Sequence, residues 1–409
     1  MAQKAKIDFQ QILDHSHIAN PYPLYAQFRE TPVALQKDGS YLVSTYNEIV
    51  SLLHDPRVSS DMRKSDEQTQ LRAQGHPATE QEEVVPAFIF QDPPNHDRLR
   101  RIVVSQFTPE RIERTRGHIE QVVKEHLDRH AQGGQMDIVD DLAYPLPVTI
   151  ICQLLGVPRE DETRFHAWAD TLASNLDPGQ VQTEEQQQRI EEARKQLRAY
   201  MEQLLEQLEV HPSNTILSGM LNAHDIDGPM SPQELISTAI LLLIAGHETT
   251  VNLITNGTLA MVRSPELLKQ LRQDPELIIP YVEELLRYDP PVHFRIRTAL
   301  ADIEIGGTTI PKGATIILVL ASGSHDGRRF EHPEAFMLDR QDNEHLGFGS
   351  GLHYCVGAPL ARLEGHIALG EISRRLIDPR LVIDPPPYRD NAALRGPRHL
   401  LVNFKGLRD

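Results

Sequence analysis

The sequence predicts a mainly α-helical protein with a small β portion, and three observations lead to this fold class. Stretches with helical periodicity fill most of residues 95 to 288. Strand-like segments are short and confined to SYLVST at 40–45, HFRIRTALADIEIGGTTIPKGATIILVL at 293–320 and HLLVNF at 399–404. These strands do not alternate with helices, as a parallel βαβ fold would require.

Composition and charge exclude several classes of protein. The formal net charge of -17 argues against a nucleic-acid partner, which would call for a basic surface. The N-terminal segment MAQKAKIDFQQILDHSH has no apolar signal core, and the longest apolar run, AILLLIAG, is far shorter than the ~20 residues of a membrane span. Two distant cysteines, Cys152 and Cys355, cannot build a disulfide framework. We therefore expect a soluble cytoplasmic protein with no membrane or nucleic-acid partner.

The most informative predicted helix begins at SPQELIS. Ser231 is its N-cap, Pro232 occupies the first helical position and Glu234 completes a capping box. If the helix continues to Arg263, it is ~48 Å long at the standard rise per residue. A helix of this length that is apolar over two turns must cross the core of the protein.

The middle of this helix carries the polar sequence AGHETT at residues 245–250. The hydroxyl of Thr249 can bond the carbonyl of Ala245, which tends to bend or open a helix. A polar stripe on a helix surface is the ordinary explanation of such residues. Here, however, an acid, Glu248, stands beside an alcohol at a small-residue position in a core helix. This combination favours a functional role for the polar residues.

The stretch LGFGSGLHYCVGAPLARLEG places Cys355 just before a predicted helix over residues 356–377, with Pro359 in its first turn. A helix N-terminus stabilises a thiolate, and the glycines around the cysteine allow close approach of a flat ligand. These features favour a metal-ligating or haem thiolate. A structural cysteine, an anion-binding loop and a catalytic nucleophile are the alternatives. Cys152 lies in an apolar helical run and is predicted to be a buried small hydrophobe.

Two further pairs follow helical spacing. His96 and Arg100 are at i and i+4 in the segment after a double proline, and Glu284 and Arg287 are at i and i+3 before an Asp-Pro-Pro stop. Each pair alone is more typical of a solvated surface than of a site. Because both pairs occur in the same chain as the cysteine loop, they are candidate parts of a functional site.

Together these motifs resemble those of the cytochrome P450 family. FGSGLHYCVG resembles its haem-thiolate signature FxxGxHxCxG, AGHETT its oxygen-activating stretch, EELLR its ExxR pair, and HDRLR its bacterial propionate-binding helix. The motifs occur in the family's order between residues 92 and 366. The resemblance implies one catalytic domain over residues 1–409, with the single-domain cytochrome P450 fold and a haem between two core helices.

The resemblance also assigns the site residues. Cys355 is the implied axial ligand of the iron of haem b (iron protoporphyrin IX), and its thiolate is expected to favour O–O cleavage. The other residues implied to bind the cofactor are His96, Arg100, Ala245, Arg297, Phe348, Gly349, His353 and Gly357. Two departures from the family pattern are evident. GSHDG at 323–327 replaces the usual ANRDP-like stretch, and Ala335 stands where many relatives carry the arginine that joins the ExxR pair, a role for which Arg340 is the candidate.

The implied function is a monooxygenase that activates O2 and hydroxylates or epoxidises a small, largely apolar organic substrate. Glu248 and Thr249 are the implied catalytic residues, because O–O cleavage requires delivered protons. Electrons are expected from a separate ferredoxin or flavodoxin with its NAD(P)H reductase, since the chain ends at Asp409 soon after its last strand and no fused reductase is expected. An arginine-rich stretch at 98–116, with Arg362, is a candidate docking surface for that donor.

Three alternatives remain at this point. A peroxide-driven haem-thiolate oxygenase would lack the acid–alcohol pair, and a non-catalytic thiolate-haem sensor would not need it. A hydrolase using Cys355 and His353 as nucleophile and base would require a third, orienting group that the sequence does not identify. The substrate pocket is expected between segments 60–90 and 165–190, the helix face near Leu242 and Ala245, the turn 292–294 and the loop near 393.

Overall fold

The computed structural model describes residues 8–66, 85–173, 183–223 and 225–408. This part of the chain is mainly helical with small sheets, as the sequence predicts. Its α-helices, numbered in chain order, are α1 (Tyr22–Phe28), α2 (Tyr46–Leu53), α3 (Asn95–Val104), α4 (Pro109–Glu113), α5 (Arg116–Asp128), α6 (Pro145–Leu155), α7 (Glu162–Ala173), α8 (Glu184–Val210), α9 (Ile216–Leu221), α10 (Pro232–Arg263), α11 (Pro265–Gln273), α12 (Ile278–Tyr288), α13 (Leu320–Gly323) and α14 (Ala358–Arg375).

The strands form a five-stranded sheet and two smaller sheets in the described residues. The large sheet has the order β1-β2-β8-β5-β3, in which β2 and β8 are parallel and the other neighbours are antiparallel. The smaller sheets have the orders β4-β10-β9 and β6-β7. The strand bounds are β1 (Val33–Leu35), β2 (Tyr41–Val43), β3 (Val58–Ser59), β4 (Gly134–Asp137), β5 (Arg295–Ala299), β6 (Ile303–Ile305), β7 (Thr308–Ile310), β8 (Thr315–Leu318), β9 (Arg380–Leu381) and β10 (Leu401–Phe404).

Helix α10 crosses the core as one unbroken element of 32 residues. Its predicted start is confirmed: Ser231 accepts a hydrogen bond from the N–H of Glu234 and donates its own N–H to the Glu234 carboxylate, with Pro232 in the first turn. The helix has the length and apolar composition of a membrane span, but 67% of its most apolar window is buried inside the protein. It therefore acts as the central helix of the core.

Helices α10 and α14 pack closely, and small residues allow this approach. A Cβ on Gly257 of α10 would lie only 2.7 Å from the Leu369 side chain of α14. Glu364 of α14 is also enclosed in this interface, 1% exposed, with the Thr250 hydroxyl of α10 beside its carboxyl group. Burial raises the pKa of Glu364 to about 8, an effect that the Thr250 hydroxyl only partly offsets.

A fully buried ion network fixes α12 to the segment that follows the large sheet. Arg287 donates from Nε and Nη2 to the two carboxylate oxygens of Glu284, at 2.8 and 2.7 Å, and both side chains are inaccessible to solvent. Arg340 donates a second set of hydrogen bonds to the same carboxylate, with Nε 3.0 Å from Oε2. Arg340 thus completes the network, and Ala335 contributes only its backbone carbonyl, which accepts from both arginines.

Burial and pairing act on Glu284 in opposite directions. Burial raises the pKa of the Glu284 carboxyl group, but the hydrogen bonds from Arg287 and Arg340 outweigh this effect and hold the pKa below its ordinary value. Arg287 also donates to the carbonyl of Ser324, whose hydroxyl accepts from the N–H of Leu346. The unusual GSHDG stretch therefore connects the network to the segment that leads into the cysteine loop.

Replacement of Arg340 by alanine should lower the free energy of unfolding by about 3 kcal/mol, because it removes one partner of a fully buried carboxylate. Denaturant unfolding followed by circular dichroism measures this change. The control is Arg374→Ala, which breaks an exposed pair with Glu371 and should cost less than about 1 kcal/mol. Equal stability of the two variants would show that Arg340 does not hold Glu284 in place.

Glu364 should make the protein less stable as the pH rises from about 4.5 to about 8. Over this range the carboxyl group ionises in the unfolded chain but stays protonated in the folded one, so the unfolded state is stabilised relative to the folded state by about 1.4 kcal/mol per pH unit. The Glu364→Gln variant should lose this dependence. Melting temperatures of both proteins across this range provide the measurement, and parallel curves would contradict the assignment.

Candidate functional site

The loop before α14 positions Cys355 through its backbone. The N–H of Cys355 donates to the carbonyl of Phe348 at 3.0 Å, which closes the loop on itself. Gly349 and Gly351 have φ values of +72° and +68°, and a Cβ on Gly351 would lie 2.4 Å from the carbonyl oxygen of Leu53. Glycine is thus required at both positions. The helix begins at Ala358 and ends at Arg375, two residues inside each predicted bound.

Cys355 is surrounded by protein atoms yet accessible to solvent, so it lies on the wall of a cavity. Burial raises the pKa of its thiol. The backbone N–H groups of Gly357 and Ala358 and the guanidinium groups of Arg295 and Arg100 act against this rise. The surroundings therefore suit a sulfur that a metal cation deprotonates on binding. Cys152, by contrast, is fully buried in α6, as predicted for a small hydrophobic residue. Burial raises the pKa of its thiol to about 12.

Two histidines meet beside the cysteine loop. The rings of His96, on α3, and His353, in the short 3-10 helix Gly351–His353, have centroids 4.3 Å apart. Asp97 binds His96 Nδ1, and the hydroxyl of Ser60 lies 2.9 Å from His353 Nε2. Within the described residues, His96 Nε2 and His353 Nδ1 are buried with no hydrogen-bond partner. Buried polar atoms are rarely left unpaired, so these two nitrogens fit the binding of an acceptor group.

Guanidinium groups give this histidine pair a positive environment. Arg100 donates to the carbonyl of Tyr354 at 2.6 Å, and Arg297 donates to its neighbouring carbonyl at 2.8 Å. Burial lowers the pKa of Arg297 to about 10, assisted by Arg295. Burial, Arg297, His96 and Arg100 lower the pKa of His353 to about 3. Carboxylates would relieve this excess of positive charge, so the residues present fit the thiolate ligand and two acidic side chains of a haem.

One face of α10 is exposed although the helix is otherwise buried. Ala245 is exposed and Thr249, one turn further on, is half-buried, while their neighbours His247 and Glu248 are buried. The Thr249 hydroxyl donates to the Ala245 carbonyl at 2.8 Å, as the sequence predicts. Since α10 lies in the core, its exposed face lines a cavity. Helix α10 also packs on α14, the helix that follows Cys355.

Glu248 points to a different environment from Thr249. Its carboxylate is 7% exposed and paired with Nη1 of Arg389, which is itself 11% exposed. Arg389 also lies 3.4 Å from the side-chain oxygen of Asn252. An enclosed ion pair therefore separates the Glu248 carboxylate from bulk solvent.

Three residues of interest were missed by sequence reasoning. Arg389 lies in an irregular segment 141 residues from Glu248, and no sequence pattern links them. Glu364 falls on a helix whose apolar pattern gives no sign of a buried acid. Arg295, by contrast, carries a usable signal, because it is two residues from Arg297 on a strand and must share its face.

Most arginines of the stretch at 98–116 form ion pairs with carboxylates. Arg101 pairs with Asp225 and Asp227, and Arg362 with Glu283, whose carboxylate lies 2.6 Å from its Nε. The further ion pairs of the stretch are Arg98 with Glu234, Arg114 with Glu110, and Arg116 with Glu113. Much of the predicted basic charge is locally neutralised.

Comparisons with known proteins agree with this geometry. The family model for cytochrome P450 matches residues 42–376. Cytochrome P450 CYP107DY1 of Priestia megaterium is 37% identical over 373 residues, which are 89% of this chain and 90% of that protein. The 6-deoxyerythronolide B hydroxylase of Saccharopolyspora erythraea is 35% identical, covering 94% of this chain and 96% of that protein.

A solved structure supports the same conclusion. The crystal structure of ligand-free CYP164A2 from Mycobacterium smegmatis superposes with a TM-score of 0.87 at 38% identity, over 96% of this chain and 98% of that chain. The match therefore covers the α10, α14 and cysteine-loop regions described above. The chain belongs to the cytochrome P450 family and is one of its haem b monooxygenases of the bacterial type.

Proposed function

We propose that this enzyme inserts one atom of O2 into a C–H or C=C bond of a small, largely apolar organic molecule. Its electrons come from a separate ferredoxin or flavodoxin with an NAD(P)H reductase, and residues 1–409 form a single catalytic domain that works in the cytoplasm. One observation carries the proposal: Cys355 is accessible to solvent, and two histidine nitrogens beside its loop, His96 Nε2 and His353 Nδ1, are buried without a hydrogen-bond partner among the described residues. A hydroxyl-bearing helix face lies on the neighbouring core helix.

In this proposal the cofactor is held from two directions. Cys355 would supply the sulfur ligand, and His96, Arg100, Arg297 and His353 would hold the propionates, the arginines by charge and the histidines through their unpartnered nitrogens. Ala245 and the loop residues Phe348, Gly349 and Gly357 would also help to hold the cofactor. When bound, the haem supplies the iron at which O2 is activated, with the thiolate favouring O–O cleavage. Arg362 supports the loop, since its guanidinium lies 4.6 Å from the centre of the Phe348 ring.

Thr249 and Glu248 divide the handling of protons. The Thr249 hydroxyl donates its one hydrogen to the Ala245 carbonyl and faces the cavity, so it orients an ordered water there by accepting a hydrogen bond from it. Glu248 changes protonation state, and the ion pair with Arg389 must open for its carboxylate to take a proton from solvent. The Glu248–Arg389 pair thus limits the entry of water into the cavity. Excess water there would divert the reaction from oxygen insertion.

Support for an apolar substrate comes from the segments that flank the proposed cavity. Val292 and Leu394 form an isolated β-bridge, and the N–H of His293 donates to the carbonyl of Ala393 at 3.0 Å, which joins two of the predicted lining segments. The parts of the predicted lining at residues 67–84 and 174–182 lie outside the described residues. The name of the 6-deoxyerythronolide B hydroxylase is consistent with hydroxylation of an organic substrate on this fold.

The electron donor is proposed to approach the surface nearest the sulfur. Leu352 and Tyr354, in the cysteine loop, are large and exposed, 48% and 38%. Arg111 contacts no carboxylate among the residues that the structure describes, and it would supply positive charge that an acidic ferredoxin or flavodoxin needs. Reduction assisted by this cation would be sensitive to ionic strength.

Cys355→Ala should abolish both the thiolate-type absorption spectrum of the reduced carbon monoxide complex and the oxygenase activity, because no other residue supplies sulfur in this cavity. Cys152→Ala is the control and should retain both, since that thiol is buried in α6. A thiolate-type spectrum in Cys355→Ala, or a histidine-type spectrum in the parent enzyme, would refute the proposed function.

Substitution of Thr249 should divert reducing equivalents to hydrogen peroxide. Thr249→Ala and Thr249→Val lack the hydroxyl, and each should form product per NAD(P)H at least about tenfold less efficiently, in line with the usual effect of removing one proton-transfer group. Thr249→Ser keeps the hydroxyl and should stay near the parent value. Coupling at the parent level in all three variants would remove Thr249 from the mechanism and leave it a purely structural role.

A further inference from the structure

Three metal-ligating side chains meet at the end of strand β4, in a sheet that holds none of the proposed haem-binding residues. Asp137 is the last residue of β4, Asp140 lies in the π-helical turn that follows, and His399 comes two residues before β10. Antiparallel pairing of β10 with β4 sets Leu401 opposite Asp137, which brings His399 to this end of the sheet. The sheet has the order β4-β10-β9, so the three residues are separate from strand β5 and its arginines.

The potential ligand atoms of these residues lie close enough together to share one metal ion. His399 Nδ1 is 2.7 Å from Asp137 Oδ2 and 3.5 Å from Asp140 Oδ2, and all three atoms lie within 4.8 Å of one another. In a Zn²⁺ site with metal–ligand distances of about 2.0–2.2 Å, neighbouring ligand atoms are about 2.9–3.5 Å apart. The distance from His399 to Asp140 has this value. The shorter contact with Asp137 is a hydrogen bond, and it would lengthen slightly when a metal takes the place of the hydrogen.

Asp137 is fixed in place, whereas the other two side chains are free to adjust. Its Oδ1 accepts hydrogen bonds from the N–H groups of Val139 and Leu400, both at 3.0 Å, so that Oδ2 is the oxygen directed at His399. The Asp137 side chain is 13% exposed, while those of Asp140 and His399 are 58% and 43% exposed. One ligand is thus held by the backbone, and the two exposed ligands can close on an ion. Their exposure also lets water complete the coordination.

The carboxylates at this position have no permanent counter-charge among the described residues. Asp137 and Asp140 form ion pairs there with His399, and the adjacent Asp141 forms one with His130, but none of the three pairs with a described Lys or Arg. An imidazole is charged only when it is protonated. A divalent cation would compensate two carboxylates at once, and it would use the neutral imidazole as a further ligand.

We propose that Asp137, Asp140 and His399 form a binding site for one divalent transition-metal ion of the Zn²⁺ type. An imidazole nitrogen together with two carboxylate oxygens favours such an ion over Ca²⁺ and Mg²⁺, which prefer oxygen ligands alone. The ion would join the end of β4 to the segment that leads into β10, which is 262 residues away in sequence. This site is independent of the haem and goes beyond the proposed oxygenase function.

Titration of the haem-loaded enzyme with Zn²⁺ in a calorimeter tests the proposal. Because the chain has 19 histidines, weaker sites elsewhere are expected, and the decisive result is the loss of the tightest site in variants. His399→Gln and Asp140→Asn should each weaken that site by more than about tenfold, since even the loss of an outer-shell partner costs about 10- to 100-fold in metal affinity. Both changes are made at exposed side chains, and an unchanged haem spectrum would show that the fold is intact.

His15→Gln is the matched control. His15 Nδ1 lies 2.7 Å from Asp390 Oδ1, the same distance as between His399 and Asp137, and both side chains are exposed. Among the residues that the structure describes, no third ligating group joins that pair. The control should keep the affinity of the parent enzyme for Zn²⁺. An equal loss in His15→Gln would mean that scattered histidines bind the ion, and it would overturn the proposal.

X-ray absorption at the zinc edge is a second measurement, because it detects the bound Zn²⁺ and not the haem iron. With one equivalent of Zn²⁺, the parent enzyme should show one imidazole together with oxygen ligands at about 2.0–2.2 Å, and His399→Gln should lose the imidazole contribution. Equal Zn²⁺ affinity in the parent, His399→Gln and Asp140→Asn would show that His399 only forms ion pairs with the two carboxylates. That result, or an unchanged imidazole contribution in His399→Gln, would refute the site.

Discussion

The ion pairs of the buried Glu284 carboxylate are the interactions on which the rest of the site depends. An ion in the protein interior is unfavourable unless several hydrogen bonds compensate it, and here two guanidinium groups, Arg287 and Arg340, do so. Because the second arginine lies 56 residues away, the carboxylate fixes helix α12 to the segment that precedes the cysteine loop. Through Ser324, the same network reaches Leu346 at the start of that loop. The position of Cys355 is thus supported by charges that it never contacts.

The haem site is built from elements that share no hydrogen-bonded ladder: helix α3, strand β5, the cysteine loop and helix α10. Arg100 and Arg297 lie at their meeting point, and among the described residues neither forms an ion pair with a carboxylate. Two buried histidine nitrogens, on His96 and His353, have no partner in the described residues. Binding of a dianionic cofactor would satisfy these groups and draw the four elements together. Cofactor binding and stability are therefore coupled in this fold.

Two buried acids close to the centre of the molecule show how a partner, rather than burial, decides the behaviour of a carboxyl group. Glu248 on α10 is enclosed but paired with Arg389. Glu364 on α14 is enclosed with only a hydroxyl neighbour, and burial raises its pKa to about 8. The first residue is suited to exchanging a proton when its ion pair opens. The second is a neutral group at neutral pH, and it contributes to packing between the two central helices.

The sequence by itself determined the features that depend on near neighbours in the chain. The capping box of α10, the hydroxyl of Thr249 on the Ala245 carbonyl and the Glu284–Arg287 pair all follow from helix geometry, which brings residues three or four apart together. The family motifs likewise identified Cys355. The position of the cysteine at a helix start was predicted to within two residues.

Only the tertiary structure decided which distant groups meet. It selected Arg340 as the third member of the buried network, joined Glu248 to Arg389, and paired Arg101 with two aspartates that the basic stretch did not reveal. The reason is physical: hydrogen bonds within a helix are set by the local backbone, whereas a partner more than 50 residues away is set by how helices and sheets pack.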